Sequence, residues 1–571
     1  MPVFFNGRLL VTPQSASALD DSAMFNKNIS VGNIAALIGR AEGGKPFTAL
    51  RFGSAEEARN VLKGDEITIK AIERAFDPSN ETQGPSTLVF IRVNPATQAT
   101  LTLKDSGGAG VIDLVSTDYG RRNNQIKVKV EAGSVAGKKL TTQFGNSYFS
   151  NDNVARNGFN VAYSGAEATA TITISGTQAT LKAGATAPVV LDLVDFPTVQ
   201  ELVDRINTVP AFAANVLDGN SEKPTLAALD FVTDANCKTA ALVVTAHLQA
   251  CIDWLNSAGE DFVTATRAAN AGVVPVNTSF AYLSGASDGM VTNAEWQAAF
   301  DVMQQVDVQW FTPLSPLASI HAMADTHAAY MSNITKYKRR TICGGGTGVT
   351  DADAKLAAKA LNSDRTSYLH LGVYDYNQRN KLTLFPAYIA AAASAGMFSG
   401  VNPGTALTNK SVKFQGLERK LRNPTDTDQL LQAGVMCMED TTGGIKIVKS
   451  NSTWLADTNY NRVEQSVGCA CDFVLRNVQE AVDGVRGKKG TPRTLQDALS
   501  RAETRLAELS VAEPMGPGVL VGDDNNPPYR KLSGSLVGDV IRVQYECSPV
   551  LPVNFILQVA SAVPYSSTAS A

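Results

Sequence analysis

Charged side chains are scarce in this chain. Asp, Glu, Lys and Arg supply 18% of its 571 residues, against about 25% in an ordinary soluble domain. The formal charge is only -4 and the pI about 5.8. The chain therefore lacks the basic field that draws a protein to nucleic acid or to an anionic membrane, and neither is expected as its main partner. A thin charge coat is what a surface partly covered by partners would show. Histidine is rarer still, with four residues: His247, His321, His327 and His370. His321 and His327 lie about 240° apart around a helix, which makes a poor zinc pair. Cysteine comes to an odd seven. Only Cys469 and Cys471 are close, and C-x-C is neither a zinc pair nor a redox C-x-x-C motif, so free thiols in a reducing compartment are expected. No apolar run approaches the roughly 18 residues of a membrane span. The start, Met1-Pro-Val-Phe-Phe-Asn-Gly-Arg8, has no basic n-region and does not read as a signal peptide.

Hydrophobic residues make up 44% of the chain, enough for sizeable cores. The length suggests about three to five domains. Residues 1–28 show little helical period and read as an extended arm with a β-prone stretch over Val3–Val11. The segment 29–95 contributes to a core. Ile34–Gly39 and Leu88–Val93 are near-continuous apolar strands of the kind covered on both faces, and 54–63 is a short helix. Residues 96–235 are rich in Thr, Ser, Ala and Gly and read as a β-rich module, with strands at Ile126–Val130 and Thr171–Ser175. The module closes on a helix capped by Thr198 with Glu201 three residues on. From 236 to 405 strands and helices alternate. Helices are predicted at 241–256, from Thr292 with Glu295 as a capping box, at 316–335, from Thr350 to Leu361, and from Pro386 to Gly396. Strands are predicted at Phe280–Leu283, Val306–Phe311, Arg340–Cys343 and Tyr368–Tyr374. Such alternation implies a largely parallel sheet covered by helices. Residues 406–548 form an α+β unit: two amphipathic helices, through Val463–Val478 and Leu495–Leu509, then a strand Ile541–Cys547. A second closing strand, Val553–Val559, lies within the terminal segment 549–571.

Candidate chemistry is sparse. Gly344-Gly-Gly-Thr-Gly348 follows a strand and precedes a helix, as a phosphate cradle would. It lacks the Lys-Ser/Thr ending of a P-loop and the spacing G-x-G-x-x-G, so a βα connection is the better reading. No G-x-S-x-G elbow is present. The run Lys336-Tyr-Lys-Arg-Arg340 reads as a solvated strand entry. A second basic stretch holds Arg486, Lys488, Lys489, Arg493, Arg501 and Arg505 against Asp483, Asp497 and Glu503. It is either a solvated face or a contact to an acidic partner. No catalytic, metal or cofactor residues are assigned.

Taken in order, several segments resemble the tail sheath proteins of contractile-tailed phages. These are Ile34–Gly39 with Arg-Ala-Glu-Gly-Gly44, Phe90-Ile-Arg-Val93, Asp118-Tyr-Gly-Arg-Arg-Asn-Asn124, Leu283-Ser-Gly-Ala-Ser-Asp-Gly289, and Leu384-Phe-Pro-Ala-Tyr-Ile with its alanine helix. Asn402-Pro-Gly404 and Asn409-Lys410 follow. The resemblance implies a non-enzymatic subtilisin-like α/β core, an outward β-rich insertion and a tube-facing C-terminal domain. It implies a virion subunit assembled in the host cytoplasm as stacked six-membered rings. Its partners would be further copies, a tail tube, a baseplate and a tail terminator. No cofactor, direct nucleic acid or stable membrane contact is implied. Strand exchange between copies would use Val3, Phe5, Leu9 and Val11 at one end and Val553, Phe555, Leu557 and Val559 at the other, and the basic residues of 486–505 would face the tube. A subtilisin-fold hydrolase and a static shell or surface-layer protein are the competing readings.

Overall fold

The computed structural model describes residues 3–5, 8–10, 34–257, 261–335 and 337–565. Its centre is a six-stranded sheet. In spatial order the strands are Thr366–Leu369, Arg340–Gly344, Trp310–Pro313, Ile34–Gly39, Thr87–Arg92 and Ala49–Phe52. The first five run parallel and the last is antiparallel. Ile34–Gly39 and Thr87–Arg92 are buried at every position but the first. That is why both read as unbroken apolar runs: helices cover both faces, so neither face can be polar. Helix Ala387–Gly400 packs on this sheet and is buried at thirteen of its fourteen positions. Its alanines let neighbouring backbones come close. A Cβ on Gly396 would lie 2.1 Å from the Ala75 carbonyl oxygen, so glycine is required there.

The 93–97 and 283–292 segments join this core to a β-rich part with two apolar centres. One gathers side chains from Ala99 to Val154 and from Leu248 to Ala286. The other lies among residues between Phe159 and Val244. Strand Thr278–Tyr282, expected to open the parallel sheet, instead pairs antiparallel with Lys127–Ala132, and Val263–Arg267 pairs with Gly110–Ser116. A break at residue 235 therefore does not coincide with a change of sheet. Short amphipathic strands announce their faces but not their partners, and this is the physical source of the error.

The root of the β-rich part is organised around Arg92, which is fully buried. Its Nη1 donates to the carbonyls of Gly44 at 2.7 Å and Tyr119 at 3.2 Å, and its Nε to Asn94 Oδ1 at 3.1 Å. Asn94 in turn donates to the carbonyls of Ala41 and Asp288. Gly44, Tyr119 and Asp288 belong to three separate segments quoted above. A buried guanidinium thus ties together stretches that are far apart in sequence.

Several elements depart from expectation. Helix Glu66–Phe76, capped by Asp65, was not anticipated. The strand expected at Val306–Phe311 begins only at Trp310, because Val306 and Val308 are buried from a loop. The stretch expected at Tyr368–Tyr374 splits, and Val373–Tyr376 joins a different sheet with Leu382–Phe385 and Gly416–Leu417. The 241–256 helix shortens to His247–Leu255, after strand Leu242–Thr245. Near the C-terminus, helices Gln465–Asp483 and Pro492–Leu509 form as read. The partner of strand Val540–Cys547 is Tyr529–Val537, and the strand expected at Val553–Val559 does not form within the chain. Tyr529–Val537 escaped notice because its register shifts between Arg530 and Ser533 and Lys531 adopts φ 55°. A bulge of this kind breaks the two-residue period.

Candidate assembly surfaces

The closing hairpin, Tyr529–Val537 with Val540–Cys547, is a sheet of only two strands. Among the described residues each strand keeps one unpaired edge, and unpaired edges are templates for another strand. After it the chain is held to Val519 and Val521 by Val550 and Ser548 backbone bonds. From Leu551 to Tyr565 it belongs to no strand among the described residues. Val553, Phe555, Leu557 and Val559 are 78, 81, 92 and 93% exposed, and Ile556 between them is 88% exposed. An apolar segment left in water on both faces is anomalous for a chain on its own.

At the other end, Val3–Phe5 and Arg8–Leu10 pair antiparallel, with Val3 opposite Leu10, Phe4 opposite Leu9 and Phe5 opposite Arg8. Val11 and the rest of the arm to residue 28 lie outside the described residues.

The two basic stretches behave differently from each other. The run 336–340 is not a solvated strand entry, although Lys336 itself lies outside the described residues. Arg339 and Arg340 are 1 and 3% exposed. Arg339 donates to the carbonyls of Met303 and Val306, at 3.0 and 2.8 Å. Arg340 reaches Asp472 Oδ2 at 2.9 Å and Gln465 Oε1 at 2.8 Å. Arg365 also pairs with Asp472, and Arg476 with Asp307. These pairs rivet helix Gln465–Asp483 to the central sheet. Gly468 leaves room for the rivet, since a Cβ there would sit 2.3 Å from Arg340 Nη2.

The stretch 486–505 is exposed over most of its length, but four of its cations are already engaged. Arg486 pairs with Asp483, Lys488 and Arg501 with Asp497 at 2.9 Å each, and Arg505 with Glu508 at 3.1 Å. Lys489 and Arg493 are exposed and make no ion pair among the described residues.

The glycine loop after Arg340–Gly344 is filled from within. Glu418 accepts from the Gly348 amide at 2.7 Å with one oxygen and from the Gly372 amide at 3.0 Å with the other. A side-chain carboxylate thus occupies the place a bound anion would take. The histidines are similarly committed. His321 bonds the Ser315 carbonyl at 2.8 Å. His327 Nε2 lies 2.9 Å from Arg339 Nη1, and burial with that neighbouring charge pushes it down to about 3. His370 contacts Asp351 at 2.9 Å, and Arg419 pairs with the same carboxylate. His247 Nδ1 accepts from the Arg156 amide at 3.0 Å. All seven cysteines are free, and burial raises their thiols, Cys437 to about 12 and Cys469 to about 11. These are inert packing groups rather than nucleophiles. Among the described residues no His, Cys, Asp and Glu cluster has the make-up of a metal site, and no helix is long and apolar enough to cross a membrane.

Sequence reasoning missed Arg92, Glu418, Asp472 and Asn554. Nothing near them marks them out, because their partners lie far away in the chain. The one available signal was charge inside an apolar strand, as at Arg92.

Open strand edges beside an exposed apolar segment, with the histidines and the glycine loop engaged in internal bonds, suit a structural protein better than a catalyst among the described residues. The comparisons agree. No family model matches the chain. Among curated proteins, it is 29% identical to the tail sheath protein of Bacillus phage SP01, over 98% of this chain and 97% of that one. It is 27% identical to the putative tail sheath protein of Enterococcus phage phiEF24C, over 82% and 84%. Among solved structures, the sheath tail protein from Desulfitobacterium hafniense matches with TM-score 0.56 at 12% identity, covering 95% of this chain and 99% of that one. The Listeria innocua sheath tail protein matches at 0.53 and 12%, covering 93% and 97%. The chain is homologous over nearly its full length to phage tail sheath proteins. That similarity favours a structural, non-enzymatic tail protein over a hydrolase.

Proposed function

We propose that copies of this chain stack as six-membered rings around a tail tube, and that the sheath they form shortens to drive the tube through a host envelope and deliver the genome. The carrying observation is the 551–565 segment, apolar and exposed, next to a two-stranded sheet with two open edges. The Val553–Val559 segment of one copy adds to the hairpin of another, and the N-terminal arm, through Val3, Phe5, Leu9 and Val11, fills the remaining edge. Main-chain bonds supply affinity, and alternate side chains supply specificity. Flexible connections keep copies linked while near-rigid bodies rotate, so the stored energy resides in contacts between subunits. The β-rich part, about 96–288 by its sheets, faces outward. The 406–548 part faces the tube through its 486–505 stretch, where Lys489 and Arg493 make no ion pair among the described residues. Baseplate and terminator proteins close the two ends, and assembly takes place in the host cytoplasm.

Negative-stain microscopy of the purified chain tests this reading. Long hollow tubes with helical striation are expected from the full chain, and folded, unassembled subunits from a chain lacking residues 549–571. A static shell predicts closed or flat lattices instead. Normal tubes from the truncated chain would remove the arm from the account.

A further inference from the structure

Among the described residues, the side-chain hydrogen bonds that tie the exposed segment to the body come from Asn554. Between the backbone bonds at Val550 and the open chain from Phe555 onward, the Asn554 amide touches the body twice. Thr408 Oγ1 donates to Asn554 Oδ1 at 3.2 Å, and Asn554 Nδ2 donates to Glu464 Oε2 at 3.4 Å. The acceptor is itself fixed. Glu464 is 1% exposed, and its other oxygen accepts from Ser450 Oγ at 2.5 Å. It stands just before helix Gln465–Asp483, the helix riveted to the central sheet by Arg340 and Asp472. Thr408 lies beside the Asn409-Lys410 motif, which has no other assigned role. An asparagine amide matches this pair because it offers one acceptor and one donor from a single planar group.

We infer that Asn554 is the positioning residue of the arm: it fixes where the donated strand starts and therefore which of its side chains meet the neighbouring copy. This rests on the proposal that 553–559 is donated. From Asn554 the eleven described residues 555–565 reach on the order of 36 Å when extended. Phe555, Leu557 and Val559 then share one face, and Ile556, Gln558 and Ala560 the other. A slip of one residue exchanges the two faces. Without a fixed origin, the weakly patterned segment would pair in more than one register.

The test is an insertion series in the full chain, read as the concentration at which tubes form. One glycine inserted after Asn554 places Gly, Ile556 and Gln558 where Phe555, Leu557 and Val559 stood. The critical concentration is expected to rise about tenfold or more. Two inserted glycines return Phe555 and Leu557 to the same face and should recover most of that loss. In an Asn554→Ala background the single insertion should cost far less, because the register is no longer counted from residue 554. A merely structural role for Asn554 would not reproduce this odd–even alternation. Equal assembly for one and two insertions, with the 549–571 deletion still assembly-defective, would overturn the anchor while leaving the donated arm intact. Normal assembly after that deletion would overturn the arm itself.

Discussion

The Leu88–Val93 stretch and the Val553–Val559 segment are both short, apolar and β-prone, yet one is fully buried and the other almost fully exposed. The first is completed inside its own chain, by parallel neighbours on the central sheet and helices on both faces. The second has no such cover among the described residues, where its side-chain hydrogen bonds to the body are those of Asn554 with Thr408 and Glu464. The lesson is that similar local chemistry serves folding in one place and association in the other. What differs is whether the same chain supplies the partner.

Identical substitutions should break the two regions in opposite ways. Phe555→Asp with Leu557→Asp is expected to abolish tube formation while leaving the melting temperature of the subunit within about 2 °C of the parent, as for other exposed sites. Phe90→Asp, fully buried in the Leu88–Val93 stretch, should prevent folding altogether. Calorimetry and microscopy on both variants check the contrast, and loss of subunit stability in the arm variant would break it. The next effect concerns the rivet between sheet and C-terminal helix. Asp472→Ala leaves the buried Arg340 without a carboxylate and Arg365 with Asp364 at 3.9 Å, and should cost about 3 kcal/mol in denaturant unfolding.

A third prediction sharpens the interior side of the comparison through pH. His327 is depressed from 6.5 to about 3 by burial and by Arg339. Between those values the unfolded chain binds a proton that the folded chain refuses. Stability from this group is therefore complete above about 6.5 and declines as pH falls through the window, at up to about 1.4 kcal/mol per pH unit. His327→Gln should flatten the acid limb of the stability profile by that slope relative to the parent. The smallest expected effect lies at the surface: Lys489→Glu with Arg493→Glu should weaken tube-templated assembly several-fold at low salt and less at high salt, as screening removes exposed charge contacts. The same change at Lys488 or Arg501 should matter less for the tube, since both already pair with Asp497. Unaltered salt sensitivity in the Lys489/Arg493 variant would remove the tube contact.

Much of the fold could be read locally. The caps at Ser54, Thr198, Thr292 and Thr350 each accept from a backbone amide of the first turn, and cap signals involve residues only three apart. The alanine helix and the apolar strands were equally plain. Misreadings came where the deciding partner is distant. Thr278–Tyr282 joined another sheet, Tyr529–Val537 was hidden by a bulge, and the basic residues Arg339 and Arg340 turned inward to Met303, Val306, Asp472 and Gln465. Sequence separations of 36 for Arg339 to Met303 and 132 for Arg340 to Asp472 leave no local trace.

By itself, the sequence determined the elements, the apolar character of both ends and the absence of a catalytic motif, because these follow from the period and chemistry of near neighbours. Only the tertiary structure decided which strands share a sheet, that Glu418 fills the glycine loop, and that, among the described residues, the hairpin leaves both edges open and 551–565 joins no sheet. Those outcomes depend on contacts closed over hundreds of residues, where the cost of bringing chain ends together, and the gain from burying them, are set by the whole fold rather than by any segment.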